Sequence, residues 1–349
     1  MQRRSLLVLL GGVSLGAMAA PFRDPLDTPA QATRLLASSQ LAAVARVGKR
    51  VVAVGVRGRI MISDDGGKNW RQAKVPVSTE LVAVQFVGPK EGWVVGHGGV
   101  VLHSADAGET WEKQLDGRQT KELLLKNFKP KADAGDQAVA RMLGVIELNY
   151  AEGPEQALLG VWFDDANNGF VCGSFGTLLA TRDGGKTWES WMERIDVREP
   201  VHLNAIRGVG GEVFIASERG VVYRLDRQAK KFVPYETGYR GSFFGVAGAG
   251  SMVFAFGLRG TVYRSTDLGL SWSQLDVGAR ASINGAAALQ GGRMLFVTQD
   301  GQALLGDAGG AKFNSLPLQQ RGLFQDAVQI DRNTALLVGW NGPQVISLQ

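Results

Sequence analysis

The sequence predicts an all-β protein, a seven-bladed β-propeller of four-stranded antiparallel blades, and two repeated motifs carry this prediction. The first motif, Ser/Thr-x-Asp-x-Gly-x-(Ser/Thr/Asn)-Trp, is called the Asp-box here and ends at Trp70, Trp111, Trp188 and Trp272. These tryptophans are 41, 77 and 84 residues apart, close to one or two periods of 41 or 42 residues. Fixed periods of this size are typical of propellers, solenoids and repeat arrays.

The second motif is a short turn, usually Gly-x-x-Gly, between two β-branched runs. It occurs seven times, at residues 55–58, 96–99, 173–176, 217–220, 257–260, 298–301 and 339–342. The steps between copies are 41, 77, 44, 40, 41 and 41 residues, so one interval is longer than the first by 36. Seven copies predict seven blades, and the long interval predicts an insertion after the second blade.

Each unit reads as four strands joined by tight turns. In the second unit the strands are predicted at 81–86, 92–95, 100–103 and 111–113. Runs rich in Val, Ile and Phe between glycine turns are typical of a hairpin meander. A lone sheet of this kind cannot bury both faces, whereas radial stacking of seven sheets can. The seventh unit ends at Ser347, and a strand within 27–37 is predicted to complete it and close the ring.

The insertion, at about 117–155, is predicted to be helical. Helices are expected at 120–128 and 136–148, and Pro130 with Gly135 is expected to separate them. Val139, Met142, Leu143 and Ile146 follow the i, i+3, i+4, i+7 spacing of an amphipathic helix. The apolar stripes are expected to pack on each other and on the propeller rim, or to form a groove or lid for a partner.

The N-terminus predicts export. Arg3 and Arg4 precede an apolar stretch at 6–20 that contains an Ala17-Met18-Ala19 cleavage site, the pattern of a secretory signal peptide. The predicted division is therefore a signal peptide at 1–19 and a single propeller domain at 20–349. The mature protein is expected outside the cytoplasm, in the periplasm, by the general or the twin-arginine route.

Composition excludes several classes of function. The chain has 38 basic and 33 acidic residues, a net charge of +5 that falls to +3 without Arg3 and Arg4, too weak to indicate nucleic-acid binding. The single cysteine, Cys172, lies in an apolar run and is expected to be a buried, inert thiol. The three histidines, His97, His103 and His202, lack metal-ligand spacing. No cofactor, metal site or catalytic residue is predicted.

One face of the predicted ring concentrates arginines. In a meander blade, the turn between strands two and three and the loop into the next blade lie on one face, and the Asp-boxes lie on the other. When the inner strands are aligned on Gly245, Gly285 and Asp326, an arginine stands five residues earlier in each. The predicted partner-binding residues on this face are these three arginines, three more in the Gly-x-x-Gly turns, and one histidine: Arg240, Arg280, Arg321, Arg57, Arg219, Arg259 and His97. Guanidinium groups suit carboxylates through paired planar hydrogen bonds.

Two alternatives to a binding scaffold stay open. Asp-boxes also occur in sialidases, whose site needs an arginine triad, a Tyr nucleophile paired with a Glu, and an acid Asp. Tyr239 is the one tyrosine predicted near the arginine face, and Phe22-Arg23-Asp24-Pro25 only partly matches the Phe-Arg-Ile-Pro element of those enzymes. A sialidase-like glycoside hydrolase is therefore one alternative, and a propeller that binds a glycan or small ligand without turnover is the other.

The sequence resembles the photosystem II stability/assembly factor family of propellers. The resemblance is carried by Val54-Gly55 through Trp70 and by Cys172-Gly173 through Trp188, in an exported chain of seven units. It implies a non-enzymatic scaffold that uses an arginine-rich face to bind a reaction-centre subunit and helps to assemble or stabilise an integral membrane complex. The implied partner is a membrane protein subunit or its exposed acidic segment, held close to a membrane that this protein does not span. A monomer is expected.

Overall fold

The strands form seven antiparallel sheets arranged in a closed ring. The structure is a computed structural model that describes residues 23–197, 200–318 and 320–349. Each sheet uses strands consecutive in sequence; six sheets have four strands and the seventh has three. The first strand of each sheet is innermost and contacts the first strands of both neighbours, and the last contacts the first. The fold class is therefore confirmed, including the helical insertion after the second blade.

The strands of blades 1, 2 and 3 are β1 (Leu41–Val47), β2 (Arg50–Gly55), β3 (Arg59–Ser63), β4 (Arg71–Gln72), β5 (Leu81–Val87), β6 (Glu91–Gly96), β7 (Val101–Ser104), β8 (Glu112–Leu115), β9 (Leu158–Phe163), β10 (Gly169–Gly173), β11 (Leu178–Thr181) and β12 (Glu189–Ser190). Those of blades 4 and 5 are β13 (Leu203–Val209), β14 (Glu212–Ser217), β15 (Val221–Asp226), β16 (Lys231–Glu236), β17 (Phe243–Ala249), β18 (Met252–Gly257), β19 (Val262–Ser265) and β20 (Ser273–Leu275). Those of blades 6 and 7 are β21 (Ile283–Ala288), β22 (Met294–Thr298), β23 (Ala303–Gly306), β24 (Phe313–Ser315), β25 (Phe324–Gln329), β26 (Thr334–Gly339) and β27 (Gln344–Ser347).

The core lies between neighbouring blades. The second strand of each blade has apolar residues on both faces because a blade packs on each side of it, and every residue of β10 is buried. The fourth strands are less buried, and β4 and β12 have only two residues each, neither of them buried. Between blades 2 and 3, Trp93 stacks on Phe163 with ring centroids 3.6 Å apart. Such contacts place the hydrophobic stabilisation between the blades.

The Asp-boxes connect strands three and four on one face of the ring, the box face. In the first copy, the Asp65 carboxylate accepts hydrogen bonds from the Ser63 hydroxyl and from the backbone N–H groups of Lys68 and Asn69. The Asn69 backbone N–H contributes most to lowering the pKa of Asp65 to about 2. Trp70 donates from Nε1 to the Gly67 carbonyl at 2.9 Å and packs against blade 7. The boxes are therefore latches that hold the tryptophans between blades.

The insertion consists of α1 (Gly117–Asp133) and α2 (Gln137–Asn149). Asp116 caps α1 in a capping box with Gln119. Helix α1 continues through Pro130 to Asp133, so the expectation that Pro130 ends the first helix is wrong. Proline removes one intrahelical hydrogen bond, and the helix nevertheless continues for three more residues. The helices pack into the core of blades 2 and 3, alongside the propeller strands, through Leu124, Phe128, Val139 and Ile146, which are buried.

No helix in the described part of the chain is both long and apolar enough to cross a membrane.

Residues 23–40, the N-terminal strap, run over blades 2, 1 and 7 before β1 begins. Leu26 packs in the core of blades 1 and 2, and the Ala30 N–H donates to the Val75 carbonyl at 3.1 Å. The Ala37 carbonyl lies against Gly342 in blade 7. The strap forms no strand, so the predicted fourth strand of blade 7 within 27–37 is wrong. Pro29 has no N–H to donate to a sheet, and the strap bonds to blade 1 instead. The predicted signal peptide at 1–19 lies outside the described residues.

Candidate binding face

The Gly-x-x-Gly turns and the loops into the next blade share the face opposite the boxes, called the mouth face. Each turn joins strands two and three, and it packs on the loop that leads to the next innermost strand. Gly58 donates to the Thr79 carbonyl at 2.7 Å, and Gly220 donates to Gly241 at 2.8 Å. A Cβ atom on Gly220 would lie 2.0 Å from the Tyr239 carbonyl oxygen. Glycine is therefore required for this close approach.

The residue before the last glycine of these turns has a left-handed backbone. Its φ is 57° at Arg57, 54° at Phe175, 58° at Arg219 and 58° at Arg259. An L-residue other than Gly, Asn or Asp rarely adopts this conformation, which costs roughly 1–2 kcal/mol. All four residues are exposed. Four blades thus use the same strained turn to present a large side chain on the mouth face.

Turn-on-loop packing brings arginines of neighbouring blades close together. The turn that carries Arg219 lies against the loop of Arg240, because Gly220 contacts Tyr239 and Gly241. The turn that carries Arg259 lies against the loop of Arg280, because Gly260 contacts Ala279. In blade 6, Gly301 lies against Arg321 itself. We call this series along blades 4 to 6 the arginine arc: Arg219, Arg240, Arg259, Arg280 and Arg321.

Most arginines of the mouth face have no partner within the described residues. The guanidinium groups of Arg57, Arg240, Arg259, Arg280 and Arg321 are exposed there and form no hydrogen bond or ion pair with the rest of that part of the chain. Two acidic residues nearby are engaged within their own blades: Glu218 accepts from the His202 N–H, and Asp300 accepts from the Thr298 hydroxyl. The arc is therefore a cationic surface open to an external carboxylate.

Three of the predicted site residues differ from the rest of the arc in their surroundings. Arg57 and His97 lie on other blades, and Arg219 lies beside acidic residues. Arg57, on blade 1, lines a recess under the N-terminal strap with Arg59. Burial, and after it the charge of Arg57, lowers the pKa of Arg59. His97 is exposed on blade 2. Arg219 borders a groove that also contains Asp196, Glu218 and Glu236. The structure thus places Arg57 and His97 on the opposite side of the ring from blades 4 to 6.

The mouth itself is a cavity of about 530 Å³ in the middle of the arginine-bearing face. Its walls include Phe244, Leu159 and Trp340, together with the carboxylate Glu80 at the rim. None of the predicted arginines is among its lining residues. Trp340 is 53% exposed. The arginines therefore surround an entrance that is apolar and amide-lined: Gln40, Asn204, Asn284 and Gln325.

Sequence reasoning missed these mouth residues and two charges below them. Arg207 on β13 and Asp326 on β25 line a cavity of about 130 Å³ that continues from the mouth into the central channel. Burial raises the pKa of Asp326 to about 6 although part of the residue faces the channel. The carboxylate accepts from Val44 N–H at 3.0 Å across the ring closure. An alignment of the inner strands could have revealed them, because the other blades have small or uncharged residues at the positions of Arg207 and Asp326.

Within the described residues, Tyr239 contacts a backbone carbonyl and aromatic rings and has no glutamate as a hydrogen-bond partner. Its hydroxyl donates to the Leu258 carbonyl at 3.3 Å, and its ring packs near Phe243 and Tyr263. A sialidase-like nucleophile would instead be paired with a glutamate. Cys172 is fully buried, and burial raises its pKa far above the usual thiol range. Within the described ranges, no group of three or more His, Cys, Asp or Glu side chains could hold a metal ion.

Comparison with known families decides the relationship. The family model described as "Photosynthesis system II assembly factor YCF48" matches residues 37–120 and 144–305, which is more than half of the chain. The chain belongs to this family. The match omits 121–143, so most of the helical insertion lies outside the part that the family model recognises.

The chain is similar to curated relatives and to solved structures at low sequence identity. A photosystem II assembly protein Ycf48 from Synechococcus sp. (strain JA-2-3B'a(2-13)) is 28% identical over 182 residues, covering 48% of this chain and 53% of the relative. The chain thus spans about half the length of the curated relatives that lead this comparison. A structure titled "YCF48 bound to D1 peptide" has a TM-score of 0.64 at 16% identity, covering 95% of this chain and 99% of that one.

An enzyme shares the fold equally well. A virginiamycin B lyase from Staphylococcus aureus has a TM-score of 0.65 at 8% identity, covering 88% of this chain and 94% of the lyase. At such identities the likeness shows the seven-bladed fold and nothing about activity. The family assignment rests on the sequence match, and function has to be argued from the mouth face.

Proposed function

We propose that this protein is an exported, non-catalytic scaffold that binds a segment of a membrane protein subunit and helps to assemble or stabilise photosystem II or a similar membrane complex. Family membership supports this role, and so does a related structure titled as bound to a D1 peptide. The predicted signal peptide would deliver the protein to the periplasm or the thylakoid lumen. It would act as a monomer close to the membrane.

The arginine arc carries the proposal. Arg240, Arg259, Arg280 and Arg321 form no hydrogen bond or ion pair within the described structure. Arg219 and Arg259 also hold a left-handed backbone that is costly to maintain. Planar guanidinium groups bind carboxylates through paired hydrogen bonds. An acidic segment lying across blades 4 to 6 would meet Arg240, Arg280 and Arg321 in succession. Arg219 and Arg259 would contribute to the same contact, and Arg57 and His97 would contact a longer segment that crosses the mouth.

The direct experiment compares two triple variants, which lose three positive charges each, one on the mouth face and the other on the box face. The triple variant Arg240→Ala, Arg280→Ala, Arg321→Ala should keep its melting temperature within a few degrees, because all three side chains are exposed. Its affinity for a fluorescent D1 peptide should fall about a hundredfold, since each lost charge-assisted contact weakens binding severalfold. Binding to the wild-type protein should also weaken as salt is added.

The matched control is Lys49→Ala, Lys68→Ala, Arg332→Ala, which removes three exposed cations from the box face. This variant should bind the peptide as the wild type does. Equal losses in the two variants would mean that net charge, and not the arc, attracts the peptide. Full binding by the mouth-face variant would remove the arc from the proposed function.

The enzyme alternative has its own test. The Tyr239 hydroxyl bonds to a backbone carbonyl, so we expect no turnover of a fluorogenic sialoside. Measurable turnover that Tyr239→Phe abolishes would replace the scaffold with a glycosidase.

A further inference from the structure

Two charged residues line the inner cavity of the channel at positions where the other blades have none. Arg207 is the fifth residue of β13, and the corresponding residues are Ala45, Gln85, Trp162, Ala247, Ala287 and Val328. Asp326 is the third residue of β25, where the other inner strands have Ala or Gly. Among the described residues, these two are the only charged ones lining this cavity.

Arg207 has a charged neighbour but no hydrogen-bonding partner in the described structure: its positive charge opposes the larger effect of burial, which raises the pKa of Asp326. Arg207 is half-buried, and its guanidinium forms no hydrogen bond or ion pair with the described residues. The Asp326 carboxylate is directed elsewhere: one oxygen accepts from Val44 N–H at 3.0 Å and the other from Ala327 N–H at 2.9 Å. A charged group withdrawn from water without a partner is costly. A carboxylate is the best partner for a free guanidinium because two parallel hydrogen bonds can form.

The wall above Arg207 suits an apolar group. Leu159, Phe244 and Val82 line both the mouth and the inner cavity, so the two are continuous. Gln325 lines both as well, and its amide forms no hydrogen bond within the described part of the chain. From Asn204 at the mouth to Arg207 is three residues along β13, or roughly 10 Å. A ligand that enters the mouth therefore passes a collar of apolar and amide side chains before it reaches a cation.

We propose that the central channel binds a carboxylate that follows an apolar side chain, with the carboxylate on Arg207 and Gln325 and the apolar side chain against Leu159 and Phe244. The C-terminal residue of a peptide has this chemistry, and so does a small free organic acid with an apolar tail. With a peptide as ligand, the inference rests on the proposed function. It then adds that the captured segment enters the channel by its C-terminus while the arginine arc holds the residues before it.

The experiment compares ligands that differ only at the carboxylate. Binding of N-acetyl-leucine and N-acetyl-leucinamide is measured by calorimetry, together with a Leu-terminated acidic peptide that has either a free or an amidated C-terminus. We expect the free acids to bind about tenfold more tightly than the amides, the advantage that a paired guanidinium gives. A preference for the free acid only in the peptide would identify a chain terminus as the ligand. The same preference in N-acetyl-leucine would extend the site to small acids.

Variants locate the effect. Arg207→Gln should abolish the difference between acid and amide, whereas Arg207→Lys should retain part of it. Arg332→Gln on the box face is the control and should change nothing. The ligand comparison in the wild-type protein keeps the proposal falsifiable even if Arg207→Gln fails to fold. Equal binding of acids and amides, or no binding of any of these ligands, would overturn the channel site.

The two proposals can fail separately. If amidation has no effect but the Arg240, Arg280, Arg321 variant loses the peptide, the arc binds the segment and the channel site is wrong. If N-acetyl-leucine binds through Arg207 but no peptide depends on the arc, the channel binds a small acid and the proposed function is wrong.

Discussion

On the box face the arginines are engaged, whereas on the mouth face most of them are free within the described structure. Arg50 and Arg71 both pair with Asp64 and Glu109, and Arg227 pairs with Asp164. Arg46 and Arg264 donate to backbone carbonyls of the neighbouring blade. Two box-face arginines differ: Arg293 and Arg332 form no side-chain hydrogen bond or ion pair with the described residues. The same residue type thus joins neighbouring blades on one face and is offered to solvent on the other.

The comparison separates two uses of one repeat. On the box face, each Asp-box carboxylate accepts hydrogen bonds from its own turn. In three of the four boxes the tryptophan, Trp70, Trp111 or Trp272, also donates to that turn. On the mouth face, backbone hydrogen bonds hold the turns. Most of the arginine side chains there form no hydrogen bond or ion pair within the described structure. Side-chain contacts that stabilise the ring are therefore concentrated near the box face and unpaired side chains near the mouth face, so substitutions on the two faces should have different consequences.

The largest expected difference is between two tryptophans. Trp111 is buried behind its Asp-box, whereas Trp340 is 53% exposed at the mouth. Trp111→Ala should lower the free energy of unfolding by about 3–5 kcal/mol, the usual range for deleting a buried aromatic ring. Trp340→Ala should lower it by less than about 1 kcal/mol and weaken peptide binding. Urea denaturation and peptide titration of both variants measure the contrast, and a severe loss of stability in Trp340→Ala would contradict it.

A smaller effect is expected from Asp326 through its dependence on pH. The pKa of this carboxyl is raised by burial from 3.8 to about 6. The folded state therefore binds more protons than the unfolded state between these values, and stability falls as pH rises through them. The loss should be about 2 kcal/mol between pH 4 and pH 7.

Asp326→Asn is the matched variant for this effect. Subtracting its unfolding free energy from that of the wild type at each pH isolates the Asp326 contribution from the Asp-box carboxylates. Those carboxylates act in the opposite direction, because Asp267 has its pKa lowered to about 2, first by the Ser265 hydroxyl, and loses stability only in stronger acid. A difference that is constant from pH 4 to pH 7 would show that Asp326 is not desolvated.

The smallest effect tests backbone strain in the arginine arc. Arg259 has φ of 58°, whereas Arg240 is not among the residues with positive φ. Arg259→Gly should be more stable than Arg259→Ala by about 1 kcal/mol, because glycine adopts the left-handed conformation without a steric cost. At Arg240 the order should reverse, since glycine there only adds entropy to the unfolded chain. Thermal unfolding of the four variants distinguishes the positions.

The parts of the fold that local chemistry determines could be predicted from sequence. Asp, Gly and Trp at fixed offsets specify the box, and Gly58 or Gly260 indicates a turn at the correct place. Arginine gives no such signal for a left-handed backbone, so the strained positions of Arg57 and Arg259 could not be anticipated. The strap is wrongly predicted as a strand because blade 7 lacks a fourth strand in the sequence pattern. Pro29, which has no N–H to donate to a sheet, is the signal against that strand.

The candidate site could be predicted only in part, for a similar reason. The register of Arg240, Arg280 and Arg321 is visible in the sequence because each stands at one offset from an inner strand. Arg207 and Asp326 come together only when strands of blades 4 and 7 face one channel. Their meeting depends on the closure of the ring, which no local pattern records.

The hydrogen bond from Val44 to Asp326 joins residues 282 positions apart. Closing so long a loop costs conformational entropy before any contact offsets it, and contacts of high sequence separation slow folding. Blade 1 cannot contact its second neighbour until blade 7 has formed. The channel wall that contains Arg207 and Asp326 is complete only when the ring has closed, so a ligand that binds there would recognise only completed rings.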